Sequence, residues 1–308
     1  MKRYILILLT IGCLLPVSAQ QSNGAIHQEP LCLLTPDSDQ GTKQLVILQT
    51  SDTHSRIEPI AARAADRNAG MGGTVRRSTF IKEAREANPD LLLFDCGDIS
   101  QGTPYYNMFQ GEVEIKMMNL MGYDAMTIGN HEFDFGLENM ARLFRMARFP
   151  VVCANYDVTG TVLEGLVKPY VILERAGLTI GVFGLAPKME GLVQADKCEG
   201  VVYNDPIEAA RKTVDILKNQ EKCDVVICLS HLGYQLENAP CDVELAQKTN
   251  HIDAILGGHT HTFMKEPVIY LNKDGENVPV LHSGKSGIYV GMLKLTLTQD
   301  KTSKSSSK

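Results

Sequence analysis

Apolar residues along this chain gather into short runs bounded by glycine, proline, asparagine and aspartate. LVILQT (45–50), LLLF (91–94), AMTI (125–128), PVVCA (150–154), LTIGVFGL (178–185), DVVICLS (224–230), DAILG (253–257) and VPVLH (278–282) all have strand length. Several are separated by stretches that predict helices, over 76–87 and 136–148. In the second, Leu137, Met140, Ala141 and Phe144 share one face. A third helix is predicted from Pro206. There Asn204-Asp205 offers a cap, and proline takes the first helical position ahead of IEAARKTVDILKN. Strands alternating with helices predict an α/β fold with largely parallel pairing. No internal repeat is visible.

The two ends break the pattern. Lys2 and Arg3 precede an apolar stretch from Tyr4 to Leu15, and Val17-Ser18-Ala19 ends it with small residues. Residues 1–19 therefore read as a secretory signal peptide, too short for a comfortable membrane span. A rival reading makes Cys13 a lipoprotein anchor, but Thr10 stands where such sites prefer leucine. Residues 20–44 are largely polar and aperiodic, an arm or linker. Residues 45–298 hold the predicted domain, and 299–308 (QDKTSKSSSK from Gln299), without an apolar residue, should be disordered. Nothing else is long and apolar enough to span a bilayer, so the expectation is an exported protein, periplasmic or extracellular.

Composition narrows the partners. The chain has 308 residues, 44% of them hydrophobic, and a net charge of −6, enough for one large core or two modest domains. That balance, without a Lys/Arg cluster, offers no footprint for nucleic acid. Loss of Cys13 with the leader leaves an odd number of cysteines. Cys153 and Cys228 sit inside apolar runs and read as buried thiols, whereas Cys198, Cys223 and Cys241 are open to pairing. There is no CxxC metal site.

The chemistry stands at the ends of the runs. LVILQT is followed by Ser51-Asp52-Thr53-His54, and LLLF by Asp95-Cys96-Gly97-Asp98. AMTI leads to Gly129-Asn130-His131, DVVICLS to His231, and DAILG to Gly258-His259-Thr260-His261. Ligands of open α/β sheets bind outside the carboxyl ends of strands, so these residues can converge although far apart in sequence. A lone histidine after a strand is usually an ordinary surface residue. Five such strand ends together are not.

Oxygen and imidazole donors without thiolate suit Zn, Mn, Fe or Co. Residues at i and i+2 of an extended segment point the same way, which pairs Asp52 with His54 and His259 with His261. Seven ligands exceed what one ion takes while leaving room for substrate. They fit two ions with one carboxylate bridging, a clamp for in-line phosphoryl displacement. Gly97, Gly129, Gly257 and Gly258 border the candidate ligands, but ordinary turns would use them equally.

The ordered set DTH, GDISQG, GNHEFD, SHLG and GGHTH, spread between Leu45 and Leu297, resembles the calcineurin-like metallophosphoesterase superfamily. More narrowly, it is similar to the catalytic domain of secreted 5′-nucleotidases and UDP-sugar hydrolases. The resemblance implies a four-layer α/β/β/α sandwich around a binuclear centre. It implies Asp52, His54 and His261 on one metal, Asn130, His231 and His259 on the other, and Asp98 bridging. It also implies that His131, oriented by Asp134, assists the leaving group while a metal-bridging hydroxide attacks phosphorus.

Other residues near these motifs take plainer roles. Asp95 reads as support for the shell, Glu132 as support or solvated, and His282 as outside a filled site. His27 and His251 read as incidental. Arg76-Arg77 either reach phosphate at a helix start or form a solvated face.

The expected substrate is a phosphomonoester, nucleotides foremost. Phosphodiester, cyclic-nucleotide or nucleotide-sugar hydrolysis is the alternative, as is a low-turnover binding subunit. The family's second, C-terminal domain, which selects the nucleoside, has no counterpart in the expected domain layout. A separate polypeptide supplying it, or binding by this domain's own loops, is therefore expected.

Overall fold

The computed structural model describes residues 4–6, 42–63 and 65–299. Cys13, the rest of the leader, residues 20–41 and residues 300–308 lie outside these. Two mixed sheets lie face to face. The first runs, edge to edge, Tyr4–Leu6, Gly291–Gln299, Thr42–Thr50, Leu92–Asp95, Ala125–Thr127, Val151–Val152 and Val167–Lys168. The second runs Val268–Leu271, Asn277–His282, Ala254–Gly257, Val225–Ser230, Leu178–Leu185 and Tyr170–Arg175.

Pairing is parallel through the middle of each sheet, as the alternation of elements predicts. The edges differ. Gly291–Gln299 lies antiparallel to Thr42–Thr50, and Tyr170–Arg175 and Val268–Leu271 lie antiparallel to their neighbours. Tyr4–Leu6, inside the stretch read as a leader, pairs antiparallel with Leu297–Gln299. The strand Thr42–Thr50 also takes in residues 42–44, which polarity alone assigned to the arm.

The alternation of side chains explains the layers. Within Thr42–Thr50, Leu45 and Ile47 pack between the two sheets, with Leu92, Phe94, Val182, Ile227 and Leu256. Val46 and Leu48 point the other way, onto Ile81, Ile115, Met118 and Met140 of the helices Thr74–Ala87, Glu112–Met121 and Gly136–Met146. The outer face of the second sheet is covered by Pro206–Asp215 and Asp242–Lys248, through residues such as Ala210, Val214 and Leu245. Strands covered on both faces read as continuous apolar runs, which is why they were legible. The result is an α/β/β/α sandwich.

The helix from Pro206 is capped as expected: Asp205 accepts the Glu208 N–H at 2.9 Å. Its last part, Ile216–Gln220, widens into a π-helical turn. The helices Pro104–Phe109 and Glu112–Met121 lie outside the stretches whose apolar pattern predicts helix. Among the described residues every cysteine is a free thiol, including Cys198, Cys223 and Cys241.

The carboxyl ends of the central strands of both sheets meet at one end of the sandwich. Gln49 Nε2 donates to the Gly257 carbonyl at 2.7 Å, and His231 Nδ1 lies 2.5 Å from the Cys96 carbonyl. The loops after these strands therefore share one space.

Candidate metal centre

Two loops run side by side beneath the site. The Asp52 N–H donates to the Gly97 carbonyl at 2.9 Å, His54 N–H to Asp98 at 3.1 Å, and Ser55 N–H to Ile99 at 2.8 Å. These loops are not extended. Asp52, His54, Asp98, His259 and His261 all have left-handed backbone, with φ of 51°, 45°, 56°, 73° and 53°. Such conformations cost a non-glycine residue roughly 1–2 kcal/mol each. Their concentration here marks a place where packing holds strain for function.

This geometry corrects the pairing drawn from extended i, i+2 spacing. Asp52 and His54 do converge, but through a tight turn. His259 and His261 separate. Asp52, His54 and His261 form one group whose potential ligand atoms lie within 4.8 Å of one another, and Asp98, His231 and His259 form a second.

Each imidazole is aimed by its other nitrogen. Nδ1 of His54 is 3.1 Å from the Ser100 carbonyl, which leaves Nε2 facing His261 Nε2 at 2.9 Å. The Cys96 carbonyl holds His231 Nδ1, so His231 Nε2 faces Asp98 Oδ2 at 3.1 Å and Asp52 Oδ1 at 3.9 Å. Asp52 in turn accepts the His259 N–H at 3.0 Å.

Asn130 follows Gly129 and starts the single turn His131–Phe133. The His131 N–H donates to Asp98 Oδ1 at 2.9 Å, which fixes this turn against the second group. His131 Nδ1 lies 3.1 Å from Asp134 Oδ2, and the His131 ring stands 5.5 Å from the His54 ring. Asp52 and His231 are sealed in the interior, whereas His131, Asp134 and His261 are about one-third exposed. The site thus has a buried floor and a histidine-lined mouth.

The floor depends on residues that strand-end reasoning placed in the background. Glu132 is 3% exposed, and its carboxylate accepts four backbone N–H groups: Gly129 at 2.6 Å, Asp98 at 2.9 Å, Ile99 at 3.0 Å and Ser100 at 3.4 Å. Its place one residue after His131 was the only sequence signal. Asp95 accepts from Thr50 Oγ1 at 2.6 Å and from the Gly97 N–H at 2.9 Å, in support of its loop. A Cβ at Gly129 would collide with the Asp98 carboxylate, so here the backbone approach requires glycine.

The remaining candidates lie elsewhere. His282 is buried against Asp242 at 2.7 Å. His251 sits in an exposed group with Asp274 and Glu276. Arg76 donates to the Gly70 carbonyl at 2.6 Å, and Arg77 is buried, so Arg77 takes no part in a solvated helix face. Burial chiefly lowers the His261 pKa, and the positive charge of Lys285 acts in the same direction.

The calcineurin-like phosphoesterase family pattern matches residues 45–263. The chain belongs to this family. It is 33% identical over 272 residues to 5′-nucleotidase of Rattus norvegicus, a match covering 82% of this chain and 46% of that protein. Among solved structures it superposes on the 5′-nucleotidase precursor from Thermus thermophilus with a TM-score of 0.74 and 30% identity, covering 82% of this chain and 51% of the other. The calcineurin-like phosphoesterase YfkN from Bacillus subtilis aligns with a TM-score of 0.68 and 30% identity, over 84% of this chain and 87% of the other. The chain spans about half the length of the curated relatives it matches.

For a calcineurin-like phosphoesterase, whose family uses a pair of divalent ions, the test is whether these donors fit cations. They do. Asn130 Oδ1 and His231 Nε2 are buried without a well-directed hydrogen-bond partner. Buried polar atoms are rarely left so. Burial pushes the His259 and His261 imidazoles down to about 4 and lowers His54, which keeps their lone pairs available at neutral pH.

The carboxylates divide. Burial raises Asp52 to about 7. Burial also acts to raise Asp98, but the adjacent His231 outweighs it and holds Asp98 ionised; Asp98 in turn lifts His231 to about 10 against the pull of burial. A buried carboxylate that must borrow a protonated imidazole as counter-charge is suited to a cation in the same place.

Proposed function

We propose that this protein is an exported two-metal phosphoesterase acting on phosphomonoesters, nucleotides foremost. The observation that carries the reading is one constellation: two adjacent donor groups with the His131–Asp134 pair at their edge. Asp52, His54 and His261 would hold one ion, and Asn130, His231 and His259 the other. Asp98 would lie between them. Zn, Mn, Fe or Co all suit such donors. When bound, the ions supply Lewis acidity that activates water and neutralises charge on the phosphoryl oxygens.

The chain's own residues supply the rest. Ser100 and Cys96 carbonyls lock the tautomers of His54 and His231, so that Nε2 faces the centre in both. Asp134 binds His131 Nδ1 and keeps the proton of Nε2 on the side of the mouth. There it can pass to the departing alcohol oxygen. The hydrogen bond to Asp134 raises the His131 pKa, which favours the acid form this role needs.

Export rests on the charged and apolar leader ending at Ala19. Among the described residues, no helix is long and apolar enough to cross a membrane.

The test is a substrate screen on metal-analysed protein, with nucleoside monophosphates, nucleotide sugars, cyclic nucleotides and a chromogenic phosphate ester side by side. Asp98→Asn should abolish turnover. His131→Ala should retain its metals and slow turnover by about 10²–10⁴-fold. Metal loss in His131→Ala, or full activity without His131, would overturn the division of roles.

A further inference from the structure

Beside the metal centre lies a cleft of about 490 Å³ that no step of the hydrolysis has used. One wall is Gln101 to Asn107, and the other is Asp134 with Phe135. The first wall adjoins the site, since a Cβ at Gly102 would stand 3.4 Å from the His54 carbonyl. The second begins with the partner of His131. The cleft therefore opens where an alcohol leaving group would emerge once the phosphoryl group lies on the ions.

Its lining indicates the kind of alcohol. Phe135 is 37% exposed although its neighbour in the turn, Phe133, is fully buried. The buried Tyr106 ring packs on it at 4.9 Å between centroids, which fixes the Phe135 ring and leaves the rest of it open. A fixed, half-exposed aromatic ring is a stacking surface. Beside it Asn107 and Gln101 bring amides that both donate and accept hydrogen bonds. The volume falls in the range of about 300–1,000 Å³ typical of small-molecule sites, more than a phosphate needs.

Charge refines the choice. The lining has no lysine or arginine, and its one charged residue is the acidic Asp134. A leaving group with a second phosphate would meet a carboxylate and no cation. A neutral one would not be opposed.

We propose that this cleft is a leaving-group subsite, in which the planar ring of a nucleoside stacks on Phe135 while Asn107 and Gln101 hydrogen-bond its polar edge. The inference rests on the phosphoesterase reading and deepens it. The domain itself prefers nucleoside monophosphates to nucleotide sugars and to small aliphatic phosphates.

The chain has no tryptophan, which gives a direct test. In metal-loaded Phe135→Trp the single indole reports on the cleft wall, and adenosine should change its emission saturably while glycerol should not. In parallel, Phe135→Ala should lower the ratio of kcat/KM for adenosine monophosphate to that for glycerol phosphate by about tenfold, with Phe135→Tyr restoring it. Asn107→Ala, on an exposed side chain, should lower the same ratio without risk to the fold.

An unchanged ratio in Phe135→Ala and Asn107→Ala, or an indole indifferent to adenosine, overturns the subsite. If the wild-type protein cleaves no phosphate ester, the proposed function fails. The adenosine titration then still decides the subsite alone.

Discussion

The Glu132 carboxylate accepts the backbone N–H of Asp98 at 2.9 Å, so a residue of the GNHEFD turn holds in place the aspartate of the GDISQG loop. The same carboxylate also takes the N–H groups of Gly129, Ile99 and Ser100. Glu132→Ala would strand these buried donors, each worth about 1–3 kcal/mol when unpaired. The expected outcome is a loss of about 3 kcal/mol or more in a denaturation experiment, together with metal released on gel filtration. Glu132→Gln, which keeps one acceptor oxygen, should fall between. Wild-type stability in the alanine variant would show that water replaces the carboxylate.

The His131–Asp134 contact makes a prediction in pH. The hydrogen bond to Asp134 raises the His131 pKa above its ordinary value. An imidazolium acting as acid is present below that pKa and lost as pH rises through it, so kcat should decline on the alkaline side. Asp134→Asn weakens the support and should move this limb toward lower pH. A pH–rate profile with a chromogenic ester is the measurement, and an unmoved limb would detach Asp134 from the role.

Gly129 tests how closely the two loops must approach. A methyl group there would meet the Asp98 carboxylate and lie 2.6 Å from the Asp98 nitrogen. Gly129→Ala should therefore displace Asp98 and Asn130 together and weaken metal binding by at least about tenfold, as outer-shell changes do. The rest of the sandwich should persist. Metal titration alongside circular dichroism separates the two effects.

Glu114 offers a stability prediction away from the chemistry. It is 4% exposed, and neither carboxylate oxygen has a well-directed partner, although Arg77 and Ser55 line the same small cavity. Burial raises its pKa, and the nearby Ser55 hydroxyl offsets only part of this. A carboxyl with a raised folded-state pKa stabilises below its unfolded pKa and loses that contribution as pH rises through the folded value. Glu114→Gln should remove the loss, giving about 1 kcal/mol at pH 8 and little at pH 4. Equal effects at both pH values would contradict the argument.

Much of this protein is legible in its sequence. Strands such as Leu178–Leu185 and Val225–Ser230 are buried on both faces, so they survive as uninterrupted apolar runs. Asp52, Asp98, Asn130, His231, His259 and His261 announce themselves because polar donors directly after such runs have few structural excuses. The edge strands Tyr170–Arg175 and Val268–Leu271 were missed, since partial exposure mixes their residue types. So was Glu112–Met121, whose buried Glu114 interrupts the apolar face that would mark a helix.

What the sequence by itself determined was the kind of chemistry, because donor type and strand-end position are local properties. Residue spacing alone does not say which donors lie together; the tertiary structure brings Asp52, His54 and His261 within reach of one another. His259 and His261, two residues apart, go to different groups because left-handed turns, not extended backbone, set their directions. Glu132 became the clamp on Asp98 because a loop 34 residues away lies against it. Those outcomes depend on how two sheets dock, and no short-range pattern carries that information.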